Sequence, residues 1–171
     1  PTPTATPVVL GVLGYPPDTN PLTGLKVSDP ALLNRRPVMV KISNYPRYGR
    51  PHAGLSFADQ VFEYYIGEYA SRFSAIYYSQ NTQKAGPLRS GRLVDADLAA
   101  QYGAVLVYGN ADPRVDKVLV DTLGPLAVTF DDAPCPPICG KDTHSEAGVF
   151  VDTSAMNAYM KAEGIDNSRP A

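Results

Sequence analysis

Residues 104–130, AVLVYGNADPRVDKVLVDTLGPLAVTF, constrain the fold more than any other stretch. Two short apolar runs, AVLVYG (104–109) and LAVTF (126–130), flank a segment with the marks of a helix. Asp112 stands at the capping position, Pro113 at the first helical position and Gly124 at the stop. Strand, helix, strand at this spacing implies a crossover between parallel strands. AVLVYG shows no polar alternation, which suits a strand covered on both faces. Such a sheet needs helices packed on it, so the chain is directed to an α/β architecture.

Other segments add antiparallel pairing. VFEYYIGE (61–68) and SRFSAIYYS (71–79) are aromatic and β-branched and predict a hairpin turning near Tyr69-Ala70. PVMVKIS (37–43) and VFVDTS (149–154) read as strands. Helical signals occur over 90–103, where Ser90 caps and Gly103 stops, and over 154–164, where Ser154 caps and Gly164 stops. Pro30, after Ser28 or Asp29, opens a shorter turn, and Ser56 caps another. The expected fold is α/β: a mixed parallel and antiparallel sheet with flanking helices in a layered sandwich. PTPTATP (1–7) has the composition of an extended linker and VVLGVLG (8–14) that of a short strand. Residues 1–14 are therefore expected to form a Pro/Thr-rich arm, and residues 15–171 a single domain.

Composition narrows the function. A net charge of −2 argues against nucleic acid as a partner, because phosphate binding needs a basic surface. No apolar run approaches the roughly 18 residues of a membrane span. The Pro/Thr start and the eleven tyrosines suit an exported protein, tied to a membrane only through an anchor upstream. In that compartment Cys135 and Cys139 of CPPIC are expected to form a small disulfide loop. The competing metal reading adds His144 in a C-x3-C-x4-H spacing, but no fourth ligand follows, so neither metal nor cofactor is expected.

GPLRSGR (86–92) carries the main candidate site. Arg89 and Arg92 flank Ser90 and Gly91 at an expected helix start. Free N–H groups, room beside Gly91 and two forked cations would suit a carboxylate or phosphate. The competing reading pairs one arginine with Glu63 or Glu68 and leaves the other solvated. On the hairpin, Glu63 and Arg72 are expected to form a cross-strand ion pair. A hydrolase or transferase reading uses Glu63 or Asp59 as base, with the arginines at an oxyanion. It lacks a nucleophile motif, and nothing like G-x-S-x-G joins Ser90 to His52 or His144.

NPLTGLKV, LLNRRPVMVKISN, AGLSFADQVFEY, SRFSAIYYSQ and GPLRSGR occur in this order. Together they resemble the N-terminal domain of the DUF3048 family of YerB-like lipoproteins. The resemblance implies an exported, lipid-anchored bacterial protein of layered α/β fold, with a further C-terminal domain and no assigned activity. Family members carry an APHN-like stretch where this chain has KDTHSEAG, which keeps His144 in register. His144 and Asn44 are placed at the rim of the Arg89–Arg92 site. The expected function is a non-catalytic envelope module binding an anionic ligand. The alternative is a self-assembling subunit that donates the strand at residues 8–14 to its neighbour.

Overall fold

Strand β1 (Val38–Ser43) lies at the centre of a five-stranded sheet and is buried along its whole length. The computed structural model describes residues 14–45, 47–141 and 148–170. After β1 the chain forms the hairpin β2 (Gln60–Gly67) and β3 (Ala70–Tyr77), then α1 (Leu93–Tyr102), β4 (Val105–Tyr108), α2 (Pro113–Leu123) and β5 (Ala127–Thr129). A small antiparallel pair, β6 (Ile138–Gly140) and β7 (Val149–Val151), precedes α3 (Thr153–Ala162). The large sheet has the order β2-β3-β1-β4-β5. β1, β4 and β5 run parallel, and β3 is antiparallel to both β1 and β2. The mixed sheet expected from the strand–helix–strand pattern is therefore present.

Side-chain alternation divides the core into two layers. Met39, Ile76, Leu106 and Tyr108 face one way and pack against Ala96 and Ala99 of α1 and Leu119 and Leu123 of α2. Val38, Val40, Ile42, Ala75 and Val107 face the other way and meet Ile138, Val149, Val151, Met156 and Met160 of β6, β7 and α3. The sheet is thus the filling of a sandwich.

Local chemistry explains most boundaries. Asp112 accepts from the Arg114 N–H and Gly124 closes α2, as expected. Asp152, rather than Ser154, caps α3 by accepting from the Ser154 and Ala155 N–H groups. The 55–57 turn is preceded by Gly54 at φ 79°, with no cap from Ser56. The hairpin turns at Glu68-Tyr69, one residue earlier than expected, with both residues at positive φ as a twisted two-residue turn requires. Cys135 and Cys139 are joined in a disulfide. Residues 8–13 of the expected arm strand, and His144, lie outside the described residues.

Candidate functional site

The sheet changes direction at β1. From β1 the chain passes to the β2–β3 hairpin on one side, and later to β4 on the other. In open α/β sheets ligands bind outside the carboxyl ends of strands at such a point. Here β4 pairs with Val38–Val40 only, and residues 86–90 take over beside the second half of β1. The Arg89 N–H donates to the Lys41 carbonyl (3.0 Å) and the Ser43 N–H to the Pro87 carbonyl (3.0 Å). Gly109, just past β4, donates its N–H to the Arg89 carbonyl (2.8 Å), and Gly91 donates to the Asn110 carbonyl (2.8 Å). These bonds fix the GPLRSGR segment across the sheet end.

A cleft of about 300 Å³ opens there. Leu88, Arg89 and Ser90 line it, with Gly109 and Asn110 from just beyond β4. Phe130 and Asp131, after β5, and Val149 of β7 complete it. Ser90 Oγ donates to Asn110 Oδ1 at 2.6 Å, so two polar groups twenty residues apart in sequence meet at its edge.

The geometry of GPLRSGR differs from the sequence expectation. α1 starts at Leu93, with Arg92 rather than Ser90 in the capping position. The Asp95 carboxylate accepts from the Arg92 N–H (2.7 Å), so the amino end of α1 already holds an anion. The Gly91 N–H is spent on Asn110, and a Cβ on Gly91 would come within 2.6 Å of Leu119 Cδ1. Gly91 therefore serves close packing rather than ligand access. Arg92 folds back onto the Gly91 carbonyl and does not line the cleft. Arg89 lines it but is only 3% exposed, with Nε and Nη2 closed to solvent. Its Nη2 lies 3.7 Å from where a Gly49 Cβ would stand. The two arginines thus do not converge as a fork.

Behind the cleft lies a buried network that the sequence reading missed. Lys41 on β1 and Asp95 on α1 are fully buried and 3.2 Å apart. Asp95 also accepts from Ser74 Oγ (2.7 Å) and from the Tyr64 hydroxyl, which in turn accepts from Lys41. Burial pushes the Lys41 ammonium down to about 8, opposed by Asp95 and reinforced by Arg92 and Arg72. This network pins α1 to the sheet and so sets the position of residues 89–92.

Glu63 and Arg72 do not form the expected pair. The register sets Glu63 opposite Phe73 and Arg72 opposite Tyr64, so their side chains leave opposite faces. Glu63 instead accepts from Asn44 (2.7 Å) and Ser71 (2.6 Å), while Arg72 donates to the Tyr45 carbonyl. Asn44 therefore belongs to the hairpin and does not line the cleft. Asp59 accepts from Asn20, from the Tyr78 and Ser79 N–H groups and from Ser79 Oγ. Both carboxylates considered as bases are clasps between strands and loops, and neither lines the cleft. His52 stacks edge-on to Phe73 at 5.6 Å, and burial lowers its pKa.

Asn110 and Asp131 were not singled out by sequence reading. Their signal was nonetheless local: each is a polar residue just beyond a short apolar parallel strand.

Comparison with known proteins agrees with this architecture. A family model described as "Protein of unknown function (DUF3048) N-terminal domain" matches residues 22–166. "Putative lipoprotein YerB" of Bacillus subtilis (strain 168) is 38% identical over 99 residues, 58% of this chain and 29% of the relative. The crystal structure of the YerB protein from Bacillus subtilis superposes with a TM-score of 0.78 at 27% identity, over 88% of this chain and 51% of that one. The chain thus spans about half of the solved relative and less than a third of the curated one.

Proposed function

The chain belongs to the DUF3048 family, and we propose that it is an exported, non-catalytic binding module of the bacterial cell envelope. Its ligand enters the cleft at the carboxyl ends of β4 and β5, with an anionic group at the Arg89–Ser90 end. The observation that carries this reading is the cleft itself, formed where the strand order reverses and lined by the fixed segment 88–90. Export is supported by the lipoprotein name of the YerB relative and by the disulfide between Cys135 and Cys139. Among the described residues no helix is long and apolar enough to cross a membrane. Equilibrium binding of soluble peptidoglycan and wall-polymer fragments tests the proposal. The wild type retains a fragment, and Asn110→Ala, on an exposed residue, weakens that retention; equal retention by both proteins contradicts it.

A second reading, assembly through a donated strand, is favoured by β2. This eight-residue edge strand pairs only with β3 among the described residues and exposes Val61 and Tyr65. Light scattering with and without residues 1–14 decides it: large particles that vanish on truncation support donation, and monomers in both cases exclude it.

A further inference from the structure

The cleft's chemistry is divided in a way that specifies its ligand further. Leu88, Phe130 and Val149 supply its apolar lining, and all three pack on the core layer that faces β6, β7 and α3. Ser90, Asn110 and Asp131 supply its polar lining. Asn110 Oδ1 is occupied by Ser90 Oγ, which leaves the Asn110 amide N–H groups to serve as donors. Asp131 is exposed and its carboxylate can accept, the Thr129 N–H and hydroxyl being bonded to Asp132 instead. A bare phosphate or carboxylate needs donors only, and Asp131 would repel it. A hydroxyl both donates and accepts, so it matches a cleft lined by both an amide and a carboxylate. A pyranose has hydroxyls on its rim and C–H groups on its face, which suits a cleft lined by both polar side chains and an aromatic ring. The volume, at the lower end of the range for ligand sites, holds a single ring unit rather than a length of polymer.

We infer that the cleft binds a carboxylated sugar, its ring face on Phe130 and its hydroxyls shared between Asn110 and Asp131. This rests on the reading that the cleft is the ligand site, and it adds the class of ligand. The test is amide-resolved NMR titration of the full chain with glucuronic acid and, separately, inorganic phosphate. Glucuronic acid is expected to shift Ser90, Asn110, Phe130 and Asp131, whereas phosphate leaves Phe130 and Asp131 unmoved. Phe130→Leu and Asp131→Asn are each expected to weaken glucuronic acid binding by roughly fivefold to tenfold. The Asp131 variant guards against misfolding, because this residue is exposed. If phosphate and glucuronic acid act alike and neither variant changes the affinity, the sugar assignment is overturned while the cleft remains a ligand site. If neither probe shifts a cleft residue, both readings fall.

Discussion

Replacing Asp95 with asparagine removes the carboxylate that Lys41 touches while keeping nearly the same shape. Both side chains are fully buried, so water cannot compensate. Breaking a buried pair by removing one partner costs about 3–5 kcal/mol, because an uncompensated charge remains inside. For a chain of this size that lowers the melting temperature by roughly 6–20 °C. The effect carries a pH signature. Lys41 already titrates at about 8, and Asp95 is the group holding it up against burial. Without Asp95 its folded pKa falls further. Between the folded pKa and the unfolded value of about 10.4 the unfolded chain binds more protons, so stability rises with pH. In the wild type this rise begins near pH 8; in Asp95→Asn it begins lower. Adding Lys41→Met to Asp95→Asn removes the stranded ammonium and should recover most of the loss. Urea titrations of the two single variants and the double variant, at pH 6 to 9, measure all three terms. A loss below about 1 kcal/mol in Asp95→Asn, or no recovery in the double variant, would refute the ion-pair reasoning.

Three further perturbations follow from the packing. Gly91→Ala places a methyl 2.6 Å from Leu119 Cδ1 and 3.1 Å from Tyr108 Cδ2, and should cost about 1–3 kcal/mol in thermal unfolding. Burial lowers the His52 pKa, with Arg50 acting the same way against a backbone bond to Ser43. The stability this represents is complete above the unfolded value of about 6.5 and is lost as pH falls through the folded value; melts of wild type and His52→Gln from pH 7.5 down to 5 should show a smaller loss in the variant. Reducing Cys135–Cys139 opens a loop of only five residues and should cost roughly 2 kcal/mol by chain entropy, read as a shift of the denaturation midpoint on adding a reductant.

The parts of the fold that were legible in the sequence are those whose signals are local. α2 carries its cap, its proline and its stop within thirteen residues, and it forms at Pro113–Leu123 inside the expected 112–124. β1 and the hairpin announce themselves by β-branched and aromatic runs. α1 misled because Ser90 looks like a cap, yet its hydroxyl is taken by Asn110, which only the β4 crossover brings near. The true capping carboxylate, Asp95, is recruited by Lys41 from a strand more than fifty residues earlier. β6 is three residues long beside two prolines and forms because β7 pairs with it. The Glu63–Arg72 expectation failed on register, which one residue of shift inverts. The cleft draws on four separate segments, so its halves could not be joined by spacing alone.

An amide-resolved NMR titration of the full chain with a soluble peptidoglycan digest tests directly whether the cleft is the ligand site. Shifts are expected to concentrate on residues 88–90, 109–110, 130–131 and 149, and to spread little to the hairpin tip at Glu68-Tyr69. Shifts confined to the hairpin and the outer edge of β2, with the cleft silent, would contradict it.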